Sequence, residues 1–358
     1  MRKFAHGGDV YRDDIQMDFS VNTNFIGIAE EIKSEIYKNI DGCDQYPDPG
    51  CETLKNAIGT MDCICPQQIL CGNGASELLL AIMHGVKPKK ILIPTPSFLG
   101  YEWAAGAVEG ELIFYPLKEE ARFQVTSDLC NALSEEIDVL VLANPNNPVG
   151  NTILWKDLSV ILEDCREKGI IVILDECFLG FTLEGVSPLQ KRGLYSNEII
   201  LRAFTKMYAI PGLRLGYLIC KNRNLLEKIE RQLPEWNVSL LAQVAGIAAC
   251  GCGEIPKETP RKTKEEREYL QMGLKNFAQR MKKRGNTFRQ YPSDANFLFF
   301  QTDLPMYEVL KKRGILIRDC SNYRGLSKGY YRISVKSRQQ NQYLLNSLDE
   351  IWSKNERD

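Results

Sequence analysis

Between residues 53 and 250 the chain alternates short apolar runs with segments whose apolar positions recur every three or four residues. The runs are Lys90–Thr95, Glu111–Tyr115, Asp138–Asn144, Ile170–Leu174, Glu198–Ala203 and Leu215–Cys220. They are rich in Ile, Val and Leu and mostly lack polar alternation, which is how strands read when both faces of their sheet are covered. The pattern over Leu154–Lys168 predicts a helix, and others lie between most of the strands. Strands alternating with helices predict an α/β fold: a large domain with a mainly parallel sheet flanked by helices.

After residue 253 the texture changes. The pattern predicts a charged helix over Lys262–Arg284, a strand at Ala295–Gln301 and a helix over Pro305–Arg313. Strands at Gly314–Arg318 and Tyr330–Val335 follow, then a last helix from Arg338. This is a smaller α+β C-terminal domain. The expected division is an N-terminal arm over 1–35 that packs on the small domain, a large domain over 36–253 and a small domain over 254–358. No internal repeat or low-complexity tract interrupts it.

Composition narrows the functional classes. The 358 residues are 44% hydrophobic and 25% charged, with a formal net charge of -1. That balance argues against a polyanion-binding surface, so nucleic acid is not an expected partner. No apolar run approaches the roughly 18 residues a membrane helix needs, and the opening residues have no signal-peptide apolar region. The expected location is cytoplasmic. Twelve cysteines accompany only two histidines, His6 and His84. The Cys-x-Cys pairs Cys63/Cys65 and Cys250/Cys252 are weak zinc signals without histidines nearby, so no metal is expected and the thiols read as reduced.

Four local patterns carry candidate chemistry. Thr205-Lys206 follows the apolar strand Glu198–Ala203, at a sheet edge where α/β folds bind ligands; Pro211-Gly212 then forces an irregular loop before Arg214. Asp175-Glu176 follows another strand one αβ unit earlier, a position from which a carboxylate could pair with a protonated ring nitrogen. Gly72-Asn73-Gly74-Ala75-Ser76-Glu77 precedes an apolar stripe of helical period, and glycines ahead of a helix N-terminus leave N–H groups free for a phosphate. Asn144-Pro-Asn-Asn147-Pro-Val-Gly150 is a proline-fixed turn that offers an Asn side chain. Taken singly, each also reads as a turn, a cap or a surface charge.

Their order along the chain is more specific. Together with His6-Gly7-Gly8, Asp18-Phe-Ser-Val-Asn22-Thr-Asn24, the block Thr205 to Tyr217, Ile315-Leu-Ile-Arg318-Asp-Cys-Ser-Asn-Tyr323, Tyr330-Tyr-Arg332 and Gln340-Asn341, the chain resembles fold-type I enzymes that use pyridoxal 5'-phosphate (PLP). It resembles the aspartate aminotransferase superfamily in its histidinol-phosphate aminotransferase branch, and more closely the threonine-phosphate decarboxylases of cobalamin synthesis.

That resemblance implies PLP held as a Schiff base on Lys206. It implies Asp175 at the pyridine nitrogen, Asn147 at the ring hydroxyl, and Phe98, with Tyr101 as the second choice, stacked on the ring. Gly74, Ala75, Thr205 and Arg214 would hold the cofactor phosphate. Tyr46 would reach the phosphate of a neighbouring subunit, making the active unit a homodimer. Arg332 would hold the substrate α-carboxylate, Asn22 and Asn147 would line the same pocket, and His6, Gly7 and Arg318 would recognise the substrate's own phosphate. The implied reaction is decarboxylation of L-threonine O-3-phosphate to (R)-1-amino-2-propanol O-2-phosphate, with serine phosphate a variant substrate. The alternative is an aminotransferase acting on a phosphorylated amino compound. One departure bears on this choice: Phe178 stands where aminotransferases of the superfamily usually carry a Tyr.

Residue alternation adds a point about the two arginines. In Gly314–Arg318, Arg318 shares a face with Leu316; in Tyr330–Val335, Arg332 shares a face with Ser334. Two strands of one sheet can therefore turn both guanidiniums toward one pocket. A forked guanidinium suits a carboxylate and a phosphate equally.

Overall fold

A computed structural model describes residues 6–353. The first five residues of the expected arm and the last five of the expected small domain lie outside the described residues. In chain order the strands are β1 (Met17–Asp18), β2 (Ile69–Gly72), β3 (Lys90–Thr95), β4 (Glu111–Pro116), β5 (Val139–Ala143), β6 (Ile171–Asp175) and β7 (Glu198–Ala203). They continue with β8 (Gly216–Cys220), β9 (Phe288–Gln290), β10 (Phe297–Thr302), β11 (Ile315–Leu316), β12 (Arg318–Asp319) and β13 (Tyr330–Ser334).

The large sheet has seven strands in the order β2-β8-β7-β6-β5-β3-β4, and β8 alone runs against the others. Alternate residues of one strand feed opposite faces. On β5, Val139, Val141 and Ala143 join the core beneath the helix Ala75–Val86, while Leu140 and Leu142 join the core beneath the helix Trp155–Glu167. That helix turns Leu158, Ile161, Leu162 and Cys165 inward, the spacing of one helical face. Both faces of the sheet are covered, so neither can be polar. This is why the strands lack alternation in sequence. Truncating a residue such as Leu140, fully buried here, would cost about 2–5 kcal/mol.

The small sheet is antiparallel, in the order β12-β13-β10-β9. It packs Leu298, Phe300 and Ile333 against Leu270, Leu274 and Phe277 of the long helix Glu254–Lys283, and against Leu344, Leu348 and Trp352 of the helix Arg338–Ser353. The arm docks on the same core. β1 pairs in parallel with β11, and the fully buried Phe19 accepts a bond from the Ser334 N–H at 2.8 Å. Asn24 ties the arm to the large sheet through its N–H to the Lys206 carbonyl (3.0 Å) and its side chain to the Met207 carbonyl (2.8 Å).

The structure departs from the sequence reading at several places, among them β1 and β9, which the pattern does not predict. The long helix begins at Glu254, not Lys262, and runs through Pro256 and Pro260. Proline argues against a helix interior, but Pro256 falls in the first turn, where its missing N–H would have had no helical partner. The run Gly314–Arg318 splits into β11, which pairs with the arm, and β12, which pairs with β13. The four-residue β2 hides in front of the glycine loop, too short to show a period.

Candidate active site

A cleft of about 280 Å³ opens at the carboxyl ends of β3, β5, β6 and β7, where the small domain and the arm close over the large sheet. Open α/β sheets place ligands at this edge because the strands end there and loops supply the contacts. Lys206, Asp175, Asn147, Thr205, Arg214, Ala75, Phe98, Asn22, Arg318, Arg332, His6 and Gly7 all line it. Residues separated by more than three hundred positions in the chain thus meet in one space.

Lys206 stands on the short helix Phe204–Met207 directly after β7. Burial, and then the nearby Arg332 guanidinium, lower its amine from 10.5 to about 8. An amine with that value is about one-tenth neutral at pH 7, far more than an unperturbed lysine, and the neutral form is what a nucleophile requires. Asp175 ends β6, the strand next to β7. Its Oδ1 accepts the Cys177 N–H at 2.9 Å and its Oδ2 accepts the Tyr101 hydroxyl at 2.6 Å. A carboxylate has about four lone-pair sites, so it can still take a ring N–H. Burial and the Asp175 charge push Tyr101 and Cys177 far above their usual ranges, so both stay protonated.

A candidate phosphate cradle is built from backbone. The helix Ala75–Val86 begins at Gly74, which has φ of +81° and no side-chain cap. A Cβ on Gly74 would lie 2.7 Å from an Arg214 guanidinium nitrogen, so only glycine lets Arg214 cross the helix N-terminus. Arg214 itself is held by a bond from Nη1 to the Pro211 carbonyl (3.0 Å). Uncapped N–H groups and a guanidinium meet at one point, which is the chemistry a phosphate needs.

On the small-domain side of the cleft, β12 and β13 set Arg318 directly opposite Arg332, 8% and 5% exposed. Opposed residues of an antiparallel pair share a face, and like charges there repel. Arg332 donates to Asn147 Oδ1 and, at 2.8 Å, to the Ser20 carbonyl; its Nε has no partner among the described residues. Arg318 donates to Asn322 Oδ1 at 2.8 Å. Asn22, buried to 2%, leaves Oδ1 without a partner among the described residues. Asn147 Oδ1 also faces the Tyr323 hydroxyl at 3.5 Å, which leaves its amide nitrogen for another acceptor. Two buried like charges thus face each other across one strand pair, an arrangement that could take anions.

Phe98 lines the cleft, edge-on to Tyr101 and tilted on the His6 ring, each at 5.5 Å between centroids. His6 is exposed on its outer side; burial of the inner side and then Arg318, Arg332 and Lys206 hold its imidazole below the usual range. Phe178 packs edge-on to Phe297 at 5.2 Å and lines the floor. Tyr46 is not in the cleft of this chain. It is 81% exposed and packs on Trp236 at 4.6 Å.

Ser20, Ser76, Cys177 and Tyr323 also line the cleft, and no local pattern marks a role for them. Ser20 and Tyr323 sit inside the Asp18–Asn24 and Ile315–Tyr323 blocks, the sequence signal nearest to them. A larger cavity of about 440 Å³ shares Cys177 and Ala203 with the cleft. Its charges are a structural network: Arg202 bonds Glu176 (2.7 Å) and Asp62 (2.9 Å), and Tyr217 bonds Asp62 (2.7 Å).

The chain matches the model of the family "Aminotransferase class I and II" over residues 14–348, and it belongs to that family. Enzymes of this family depend on PLP, and the cradle, the buried lysine and the carboxylate at a strand end fit that group. The chain is 32% identical over 360 residues to a threonine-phosphate decarboxylase of Salmonella typhimurium, across 97% of this chain and 96% of that one. Among solved structures, it superposes on a histidinol-phosphate aminotransferase from Clostridium acetobutylicum with a TM-score of 0.85 and 29% identity, covering 94% of this chain and 99% of that one. It superposes on an L-threonine-O-3-phosphate decarboxylase from Porphyromonas gingivalis with a TM-score of 0.80 and 26% identity, with the same coverage. No helix among the described residues is long and apolar enough to cross a membrane.

Proposed function

We propose that the chain is a cytoplasmic PLP-dependent lyase that decarboxylates L-threonine O-3-phosphate to (R)-1-amino-2-propanol O-2-phosphate, a step of cobalamin synthesis. The observation that carries this reading is the opposed pair Arg318 and Arg332, both buried, beside Lys206 in one cleft. The two like charges repel across the strand pair, and a substrate with an anion for each guanidinium would relieve that repulsion. An amino acid with a side-chain phosphate supplies both.

When bound, PLP supplies an electron sink for the Cα bond that stands perpendicular to its ring. Lys206 Nζ would be its covalent anchor, Asp175 would accept the ring N–H and keep it protonated, and Asn147 would donate to the ring oxygen. Phe98 would lie against the ring and exclude water. Arg332 grips the α-carboxylate while Arg318, His6 and Gly7 grip the phosphate. Holding both ends would present the Cα–carboxylate bond for cleavage, and Lys206 Nζ would hold the proton that replaces CO2 at Cα. Phe178 has no hydroxyl to offer the ring oxygen, which agrees with a role other than transamination. In a homodimer, Tyr46 of each subunit would reach the cofactor phosphate of the other; its exposure in the single chain is consistent with that.

The test mixes protein, PLP and threonine phosphate without any 2-oxo acid. Release of CO2 supports the lyase. Strict dependence on 2-oxoglutarate with no CO2 would instead establish the aminotransferase that the Clostridium acetobutylicum neighbour suggests. Serine phosphate belongs in the panel, because one methyl is worth only about 1–3 kcal/mol in discrimination.

A further inference from the structure

We propose that Ser20 is a positioning residue: its hydroxyl, aimed by Asp18, clamps the His6–Gly8 segment over the cleft so that the segment meets the substrate's phosphate. The clamp has three parts. Ser20, 1% exposed, accepts the Gly8 N–H on Oγ at 2.7 Å. Its own hydroxyl donates to Asp18 Oδ1 at 2.6 Å, and the same oxygen accepts the Ser20 N–H at 2.7 Å. A serine hydroxyl has one proton and two lone pairs. Asp18 takes the proton and thereby turns a lone pair to Gly8.

The glycines record how closely the segment lies on Ser20. A Cβ on Gly7 would fall 2.6 Å from the Ser20 carbonyl oxygen, 2.7 Å from Oγ and 2.8 Å from Cβ. Gly8 has φ of +89°, a conformation that other residues rarely adopt. His6, one residue beyond, rests on Phe98 and feels the charges of Arg318 and Arg332. The carbonyl of Ser20 meanwhile accepts Arg332 Nη2 at 2.8 Å. One residue therefore ties the arm, through its side chain, to the arginine seat, through its backbone. Removing the side chain frees the arm and spares the backbone bond to Arg332.

The substrate half of this inference rests on the phosphate-binding reading above; the clamp itself does not. The experiment compares PLP-loaded wild type with Ser20→Ala by hydrogen exchange over residues 6–10, and measures KM and kcat with threonine phosphate. Losing one hydrogen bond of typical net strength corresponds to about tenfold faster exchange at Gly8. The expected kinetic result is KM raised by about the same factor, with kcat changed far less, the signature of lost uniform binding. Gly7→Ala, which must lift the segment off an intact Ser20, is expected to reproduce both effects. Unchanged exchange in Ser20→Ala would overturn the clamp. Faster exchange with unchanged KM would overturn the positioning role. If wild type does not turn over threonine phosphate, the functional reading fails, and the exchange result alone decides the clamp.

Discussion

Lys206→Met isolates the energy stored in the buried amine. In the folded, cofactor-free protein the amine titrates at about 8, against 10.5 when unperturbed. Between these two values the unfolded chain holds the proton and the folded chain does not. Stability therefore rises with pH across that window, and the full penalty is present below about pH 8. The two values give a destabilisation of about 3 kcal/mol at pH 7, falling to about 1 kcal/mol at pH 9.5. Methionine has similar length and no charge, so it removes this penalty at every pH. Denaturant unfolding of cofactor-free wild type and variant, at both pH values, reads the difference directly. The variant is expected to be the more stable, by a margin that shrinks by about 2 kcal/mol over the interval. Tyrosine and cysteine titrations, which also act in this range, cancel in the comparison. A margin that does not change with pH would refute the depressed amine. With it would go the argument that burial prepares Lys206 as a nucleophile.

Other substitutions probe the remaining parts of the site. Asp175→Asn keeps the contacts to Cys177 and Tyr101 sterically possible, so it should fold normally, yet turnover should fall by about a hundredfold or more as ring protonation is lost; activity within tenfold of wild type would remove Asp175 from that role. Arg318→Ala should weaken binding of threonine phosphate by about 2–5 kcal/mol while leaving unphosphorylated threonine little affected, as measured by competition; equal losses would take Arg318 out of phosphate recognition. Gly74→Ala forces a side chain into an Arg214 nitrogen 2.7 Å away and a strained φ, so PLP affinity should drop about tenfold or more, seen by equilibrium dialysis; unchanged affinity would show that the cradle lies elsewhere.

The sequence by itself determined the large sheet and the chemistry along its edge. Runs such as Val139–Ala143 are apolar throughout because both faces are buried; Asp175 ends β6, and Lys206 and Asn147 lie within a few residues of the ends of β7 and β5. For such residues, place in the chain is place in the site. It also put Arg318 and Arg332 on strands whose alternation allowed a shared pocket. Only the tertiary structure decided that they face each other, because that depends on the β12–β13 register and on the break that gives β11 to the arm. Ser20 shows the same limit. Its meaning comes from Gly8 at a distance of 12 residues and Arg332 at 312, and no local pattern records contacts made by folding. Local period reports which side of an element is buried; what that side meets is settled when sheet, small domain and arm pack together.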